Sequence, residues 1–236
     1  MFQVGGTIIN QALLLSADRA IAPISYFEPS RRPISGWRRS AKRLTDIAIA
    51  SLLLAVLSPT MLIAALAIRL ESSGPILFRQ RRIGFANIGF DMLKFRTMHR
   101  CAPDQGRLRQ TTRGDPRVTR VGAVLRHASL DELPQLFNVL RGDMSIVGPR
   151  PHAPGTCAGG LPFEMVTPRY AARHRVLPGM TGLAQVRGWR GETETKEKLL
   201  RRVEADLEYI ENWSLWLDFA IMARTAVAIL AMRNAY

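Results

Sequence analysis

A run of 22 residues without a charged side chain, from Ile47 to Ile68, constrains this 236-residue chain more than any other feature. A helix of that length crosses the hydrocarbon core of a bilayer. Helices buried in soluble proteins rarely continue so far without a charge, so the run predicts a membrane-associated helix in preference to a core helix. Residues 1–30 contain no basic stretch ahead of an apolar core, and we therefore expect no cleaved signal peptide.

The centre and the flanks of the run predict how it meets the membrane. Ser58 and Pro59 lie at its centre, and a proline inside a helix removes a hydrogen bond and bends the axis. Six basic residues precede the run within residues 31–43, and four follow it: Arg69, Arg79, Arg81 and Arg82. A straight span would put one basic cluster on the non-cytoplasmic side. A helix–break–helix that enters and leaves by one face is therefore favoured, and a spanning helix stays open.

The charge balance limits the classes of partner. Lys and Arg number 33 against 19 Asp and Glu, which gives a formal net charge of +14. Such a chain suits nucleic acid, anionic lipid or phosphorylated substrates. The aromatic content of 7% is low for stacking single-stranded bases, and the apolar run argues further against nucleic acid. Neither the two cysteines, Cys101 and Cys157, nor the four histidines have metal-site spacing, so we expect free thiols and no zinc.

The rest of the chain predicts an α+β, mostly helical fold with a small β element. Two strands are predicted after a turn at Gly74-Pro75, and residues 111–143 predict a helix, a turn and a second helix. Residues 145–155 are rich in glycine and proline and predict a loop, whereas residues 193–212 predict a charged helix.

The last apolar stretch, residues 212–232, is interrupted by Asp218 and Arg224. Two charges inside a membrane span are costly. The stretch therefore fits an interfacial amphipathic helix with Trp213 and Trp216 at headgroup depth. An ordinary packed terminal helix stays open.

Two adjacent carboxylates, Asp131 and Glu132, stand in the segment HASLDELPQLFNVL. Ser129 and Glu132 have the spacing of a capping box, which would begin a helix at Ser129. Pro134 prefers the first turn of a helix and would leave both acids in the turn before it. In either case the carboxylates lie near unpaired backbone N–H groups, a place that favours negative charge and phosphate.

Basic residues in nearby motifs give the two acids a chemical interpretation. These residues are Lys94, Arg96, Arg126 and Arg150. Arginine binds phosphate oxygens as a bidentate fork. A carboxylate can attack phosphorus when cations neutralise the phosphates, and a second carboxylate can hold Mg²⁺. A capped helix in a basic protein explains the same residues without chemistry, and the residues alone leave both interpretations open.

The segment SLDELPQLFNVLRGDMSIVGPRP, with GPILFRQRRIG and LKFRTM before it, resembles the bacterial sugar transferases, which are monotopic polyprenyl-phosphate phosphoglycosyl transferases. The resemblance runs from about Lys42 to the C-terminus. GMTGLAQVRGWRGET, DLEYIENWSLWLD and the final Asn-Ala-Tyr are most similar to undecaprenyl-phosphate glucose phosphotransferases of the exopolysaccharide and colanic-acid type. Many of those carry a further multi-span domain, and this chain resembles the catalytic-only form.

The resemblance implies transfer of a hexose 1-phosphate from a UDP-sugar to undecaprenyl phosphate, with release of UMP, to initiate exopolysaccharide or O-antigen-type glycan assembly. Asp131 would form a covalent phosphosugar-aspartyl intermediate, and Asp131 and Glu132 would bind Mg²⁺. Lys94, Arg126 and Arg150 match family positions that hold phosphates, and Asp206 matches an acid of the family's Asp-x-x-Tyr segment. Arg96, on its charge, completes the predicted set of phosphate- and substrate-binding residues.

The prediction is thus a monotopic membrane protein in three parts. Residues 1–43 form a basic, partly disordered segment, residues 44–70 a re-entrant membrane helix, and residues 71–236 a catalytic domain with a C-terminal interfacial helix. Ser58 and Pro59 match the family's Ser-Pro break. The predicted location is the cytoplasmic face of the bacterial inner membrane. The predicted partners are a UDP-sugar, undecaprenyl phosphate and anionic lipids, without nucleic acid, and a homodimer stays open.

Two alternatives to this function remain at the level of the sequence. One is a non-catalytic membrane adaptor of a glycan-assembly complex, and the other is the same enzyme with an N-acetylated amino sugar donor. UDP-glucose or UDP-galactose is favoured as the donor, because the tryptophan of RGWRGET indicates a plain hexose by resemblance. The identity of the sugar is not decided by the sequence.

Overall fold

The computed structural model describes residues 34–99, 115–191, 193 and 195–231. The described helices are α1 (Trp37–Glu71), α2 (Arg120–His127), α3 (Gln135–Arg141), α4 (Phe163–Val166), α5 (Leu183–Val186), α6 (Lys196–Glu211) and α7 (Leu215–Leu230). The described strands are β1 (Leu77–Ile83), β2 (Gly89–Phe95), β3 (Ser145–Val147), β4 (Cys157–Ala158), β5 (Leu161–Pro162) and β6 (Gly179–Thr181). Helices predominate over three two-stranded sheets, which confirms the predicted α+β class. The predicted disorder within residues 1–43 falls mostly outside the described residues.

The apolar run lies inside α1, a helix of 35 residues that begins at Trp37, ahead of the predicted boundary at residue 44. Helical structure is continuous across Ser58 and Pro59, so the prediction of two helices separated by a break is wrong for the secondary structure. Pro59 has no N–H to donate to the carbonyl of Ala55, four residues back. The hydroxyl of Ser58 donates to that carbonyl instead, at 2.9 Å, so the acceptor is satisfied and the helix continues.

By length and composition, α1 is the one described helix that could cross a membrane. Its most apolar window has a mean hydropathy of 2.3, and 11% of that window is buried within the protein. The large side chains exposed along it include Leu52, Val56, Leu62, Ile63 and Leu66. An uncovered apolar surface of this kind supports membrane association. The re-entrant course of α1 remains a prediction.

The basic end of α1 is anchored to the rest of the protein by buried polar contacts. Lys42 Nζ donates to Asp218 Oδ2 of α7 at 2.8 Å. Asp46 accepts hydrogen bonds from the hydroxyl of Ser145 (2.8 Å) and the backbone N–H of Ile146 (3.1 Å), both in β3. Because these charges are shielded from water, each contact is costly to break. They fix α1 against both β3 and α7.

The two predicted strands, β1 and β2, form an antiparallel hairpin, with Leu77 opposite Phe95. Strand β2 is the inner strand, and most of its side chains are buried or half-buried. The buried amide of Asn138 in α3 accepts a hydrogen bond from the N–H of Leu93 at 2.9 Å. This bond joins the hairpin to the helix that follows the two adjacent acids.

Residues 145–155, predicted as a loop, begin with strand β3, which pairs in parallel with β6. Three residues carry too little pattern to reveal a strand. A Cβ on Gly179 would lie 2.1 Å from the backbone nitrogen of Gly148, so the close approach of the two segments requires glycine. The N–H of Gly179 donates to the carbonyl of Pro149 at 2.9 Å. Arg150 therefore directly follows a backbone segment whose position is fixed by its contacts with Gly179.

The C-terminal helices confirm one prediction and correct another. Helix α6 is the predicted charged helix. Trp213 is buried, and its Nε1 donates to Asp218 at 3.1 Å, so the prediction of Trp213 at headgroup depth is wrong. Tyr209 also donates to Asp218, which explains how this acid tolerates burial. Trp216 is 82% exposed and Phe219 is exposed beside it, so α7 packs with one face and leaves an apolar face open. An interfacial position of that face remains a prediction.

Candidate active site

Asp131 and Glu132 lie in a 3-10 turn, Leu130–Glu132, between α2 and α3. The backbone of Ser129 is left-handed (φ 57°), and its side chain caps no N–H group, so the capping box is absent. Pro134 is the N-cap residue of α3. This confirms the alternative in which proline marks the helix start and both acids precede it.

Glu132 is held by two cations. Its Oε1 accepts from Lys94 Nζ of β2 at 2.8 Å and also from Arg150 Nη2, while its Oε2 accepts from Arg150 Nη1 at 3.1 Å. Burial acts to raise the pKa of Glu132, but Arg150 and Lys94 outweigh it and hold that pKa well below its usual range. Glu132 is therefore a fixed anion that brings a lysine and an arginine from separate segments to one point.

Asp131 is buried, whereas Glu132 is half-buried, and the surroundings of the two carboxylates differ. The carboxylate of Asp131 makes no hydrogen bond or ion pair with the residues that the structure describes, and the residue is 8% exposed. Burial raises the pKa of Asp131, the charges of Lys94 and Arg126 oppose that rise, and the charge of Glu132 adds to it. An unpaired carboxylate beside cations keeps its lone pairs for an electrophile or a metal. The two acids thus have different environments within one turn.

Arg126 lies in the last turn of α2, and its Nε donates to the hydroxyl of Thr97 at 2.8 Å. Gly122 of the same helix packs directly on Thr97, where a Cβ would lie 2.2 Å from the carbonyl oxygen. The close contact between α2 and the segment after β2 therefore sets the position of Arg126. Its charge reaches Asp131 from this side.

Asp206 acts on the site through another residue. Its Oδ2 accepts from Arg173 Nε at 3.0 Å and from Arg173 Nη2 at 2.6 Å, in an almost fully buried ion pair. The same Nη2 donates to the backbone carbonyl of Arg150 at 2.8 Å. Asp206, predicted to bind phosphate or substrate, is thus placed to hold Arg173 against the backbone of Arg150.

Arg96 has a structural role instead of the predicted phosphate contact. It is 7% exposed, and its guanidinium donates to the carbonyl of Ser73 (2.8 Å) and to the carbonyl and hydroxyl of Ser72 (2.8 and 2.9 Å). These acceptors follow the C-terminal end of α1. Arginine is well suited to the free carbonyls at such an end. Arg96 therefore ties α1 to the hairpin.

Two arginines of the site region were not singled out from the sequence. Arg173 supports Arg150, and Arg190 Nη2 donates to the hydroxyl of Ser129, next to the two acids, at 2.8 Å. Both are distant from the acids in sequence, so no local spacing marks them. The surplus of arginine over acid was the one signal that pointed to such residues.

The donor set permits a magnesium ion of a particular kind. Among the described residues, no group of three or more His, Cys, Asp or Glu side chains could hold a metal by itself. Mg²⁺ is commonly held by one or two carboxylates together with substrate phosphates and waters. Asp131 and Glu132 fit that arrangement, with Asp131 as the acid whose oxygens are not already engaged by protein cations.

A family model described as bacterial sugar transferase matches residues 37–232. The chain belongs to the bacterial sugar transferase family. The match covers the two acids, the cations around them and α1. The resemblance found in the motifs is thereby confirmed.

This bacterial sugar transferase is 52% identical over 229 residues to an undecaprenyl-phosphate glucose phosphotransferase of Komagataeibacter xylinus, covering 94% of this chain and 43% of that protein. It is 55% identical over 195 residues to a UDP-glucose:undecaprenyl-phosphate glucose-1-phosphate transferase of Caulobacter vibrioides, covering 83% of this chain and 72% of that protein. A UDP-N-acetylgalactosamine-undecaprenyl-phosphate N-acetylgalactosaminephosphotransferase of Aeromonas hydrophila is 43% identical over 189 residues, covering 80% of this chain and 43% of that protein. The chain therefore spans less than half the length of two of these relatives.

Proposed function

We propose that this protein transfers a hexose 1-phosphate from a UDP-sugar to undecaprenyl phosphate, releases UMP, and so initiates assembly of an exopolysaccharide or O-antigen-type glycan. One observation carries the proposal. Asp131, a buried carboxylate without a partner among the described residues, adjoins a second carboxylate that holds Lys94 and Arg150 in place. This arrangement suits nucleophilic attack on a phosphate whose charge must be neutralised.

The first chemical step would occur at the β-phosphorus of the donor. An oxygen of Asp131 forms a bond to that phosphorus, and the bond from phosphorus to the bridging oxygen breaks, so that UMP leaves with the electron pair. The product on the protein is an acyl phosphate that carries the sugar. Its formation requires the ionised form of Asp131, and Lys94 and Arg126 favour that form against the effect of burial.

The second step would use the lipid as nucleophile. A phosphate oxygen of undecaprenyl phosphate attacks the same phosphorus, the bond to Asp131 breaks, and the carboxylate is regenerated with its electron pair. The products are an undecaprenyl diphosphate sugar and free enzyme. Two successive displacements let a soluble donor and a membrane-bound acceptor use one small site in turn.

The cations would divide the work of charge stabilisation. Lys94 and Arg150, both paired with Glu132, would face the phosphates of the donor, and Arg126 would approach from α2. Preoriented cations are most effective where charge develops on the leaving group. Asp131 and Glu132 would hold Mg²⁺ together with donor phosphate oxygens, and the ion would supply Lewis-acid stabilisation of the departing UMP.

The apolar surfaces support a membrane location. We assign α1 to a re-entrant course in the bacterial inner membrane, and residues 71–236 to a catalytic domain on its cytoplasmic face. The exposed apolar side chains of α1, and Trp216 and Phe219 of α7, support contact with lipid. The surplus of basic residues favours anionic lipids, at about 1 kcal/mol per residue near the surface. A homodimer is compatible with this placement.

UDP-glucose or UDP-galactose is the favoured donor, because the two more similar relatives are named for glucose. An N-acetylated amino sugar is the alternative within the enzyme class, supported by the name of the Aeromonas relative. A non-catalytic membrane adaptor is the alternative outside it.

The decisive experiment measures UMP release by the full chain reconstituted in lipid nanodiscs with undecaprenyl phosphate, Mg²⁺ and a panel of UDP-sugars. Release with UDP-glucose or UDP-galactose supports the proposal and names the sugar. Release with an N-acetylated donor alone replaces the favoured sugar. If folded protein releases UMP from no donor, the adaptor takes the place of the enzyme.

A further inference from the structure

A small cleft that is open to solvent lies next to the candidate active site. Its lining includes Arg150, His152, Gln185, Trp189 and Arg190. Arg150 joins the cleft to the two acids, because its guanidinium bonds Glu132 and also lines the cleft. If the phosphates of a molecule lay beside Glu132 and Arg150, the group attached to those phosphates would extend into the cleft.

His152 lines this cleft and has a hydrogen-bond donor that no described residue engages. Its Nδ1 contacts Nη1 of Arg173, a group that can only donate, so Nδ1 carries no proton in the neutral ring. The proton of the neutral ring is then on Nε2, which is buried and has no partner among the described residues. Burial, followed by Arg173 and other arginines, holds the pKa of His152 well below its usual range, so the ring is neutral.

The ring of His152 is also rigidly placed. Phe163 packs edge-on against it at 4.8 Å between centroids, and the hydroxyl of Tyr170 lies 3.3 Å from Nδ1. The residue is 9% exposed. A buried N–H donor without an acceptor is destabilising. A ligand in the adjoining cleft would supply the missing acceptor.

Gln185 supplies the complementary group. Its side-chain nitrogen donates to the carbonyl of Met180 at 3.3 Å, whereas its Oε1 is buried and accepts no hydrogen bond from the described residues. Trp189, half-buried, contributes an apolar wall to the same cleft. The cleft thus combines a donor, an acceptor and an aromatic surface.

These features distinguish a hydroxylated ligand from an anion. Arg173 is bonded to Asp206, and Arg202 donates to the carbonyls of Trp189 and Gly191, both at 2.5 Å. An anion would also meet the lone pairs of Gln185 Oε1. A sugar hydroxyl can both accept from His152 and donate to Gln185, and its ring can lie on an aromatic side chain.

We propose that this cleft binds the sugar of the donor, with His152 Nε2 donating to one hydroxyl, Gln185 Oε1 accepting from another, and Trp189 contacting the ring. The proposal rests on the proposed function and adds the residues that select the sugar. Uracil also offers a donor and an acceptor, and its placement in the cleft is the competing outcome that the test separates.

The test compares donor and nucleotide binding in two variants, His152→Phe and Gln185→Met. Calorimetric titration of the nanodisc-embedded full chain would use UDP-glucose, UDP and UMP, each with Mg²⁺. Each variant is expected to bind UDP-glucose about fivefold to thirtyfold more weakly than the wild-type protein, which corresponds to the loss of one hydrogen bond. Its affinities for UDP and UMP should stay within about twofold of the wild-type values. His174→Phe is the matched control, because His174 is also buried with an unpartnered Nε2 and packs edge-on against Tyr170, but is outside the cleft lining.

Equal weakening of UDP-glucose and UDP would place uracil in the cleft and overturn the proposal. Unchanged binding of all three nucleotides to Gln185→Met would also overturn it. A series of monodeoxy UDP-glucoses sharpens the test. The analogue that lacks the hydroxyl facing Gln185 should bind the wild-type protein more weakly than UDP-glucose does. The same analogue and UDP-glucose should bind Gln185→Met with equal affinity. Wild-type protein that binds UDP-glucose more tightly than UDP but releases no UMP would contradict the proposed function and leave the sugar cleft standing.

Discussion

Arg173 Nη2 lies 2.6 Å from Asp206 Oδ2 in an ion pair whose side chains are 2% and 3% exposed, and the same nitrogen holds the backbone of Arg150. The pair therefore joins α6 to the segment that carries the arginine of the active site. Burial raises the pKa of Asp206, and the charge of Arg173 acts to lower it. A partner left alone at this site would be a buried, unneutralised charge.

The first prediction concerns this pair. Asp206→Asn is expected to lower the free energy of unfolding by about 3–5 kcal/mol, because Arg173 loses its counter-ion in a buried place. The double variant Arg173→Met with Asp206→Asn should lose less stability than the summed losses of the single variants Arg173→Met and Asp206→Asn. Denaturant unfolding of the four proteins in one detergent measures the coupling. Additive losses would show that the two residues act independently.

The second prediction separates the two adjacent acids. Asp131→Asn should reduce UMP release by about 1,000-fold or more and leave the stability unchanged or raised, because it removes a buried carboxylate that no residue in the described part of the chain pairs with. Glu132→Gln should lower the stability by about 1–3 kcal/mol, because Lys94 and Arg150 lose their shared anion. Paired thermal melts and UMP assays measure both effects. Full turnover by Asp131→Asn would exclude the covalent route.

The third prediction concerns the pH dependence of turnover. Lys94 opposes the rise in the pKa of Asp131, so Lys94→Met should raise that pKa and move the acid limb of kcat/KM to higher pH. Arg79→Met, at an exposed position of β1, is the matched loss of a cation and should leave the acid limb in place. A shift of the limb in both variants would indicate the general charge of the protein as its cause.

The fourth prediction tests how α2 positions Arg126. Gly122→Ala would bring a methyl group within 2.2 Å of the carbonyl of Thr97, so α2 must move away. Arg126 should then lose its bond to Thr97, and UMP release should fall by about tenfold or more. Gly155→Ala is the control, because no atom lies within 4 Å of the added group, so any loss there reports the strain of its positive φ (74°) and not packing. Equal losses in the two variants would rule out the packing explanation.

The fifth prediction concerns stability in acid. Burial, with Arg173, lowers the pKa of His174 to about 3 from an ordinary value of 6.5. Between these values the unfolded chain binds a proton that the folded protein does not, so His174 makes the unfolding free energy fall by roughly 1.4 kcal/mol for each unit of decreasing pH. His174→Phe should remove this part of the slope between pH 6 and 4, measured by denaturant unfolding. An unchanged slope would show that His174 is accessible to protons in the folded protein.

The sequence by itself determined the features that depend on local pattern. The uncharged run predicted α1, and the segments after the turn at Gly74-Pro75 predicted strands β1 and β2. Pro134 offered the start of α3 after the two acids as one of two alternatives. Each follows from the periodicity or the backbone restriction of a few consecutive residues. The motif around Asp131 and Glu132 likewise predicted the family before any contact was known.

Only the tertiary structure decided what each charged residue contacts. Arg96 and Arg150 look alike in sequence, yet one ties down the end of α1 and the other bonds Glu132. Trp213 turned inward to Asp218 although the helix pattern predicted the membrane surface. The physical reason is that burial and long-range pairing set the role of a charge or an indole. Such pairs join residues that are far apart in the chain, and local patterns do not record them.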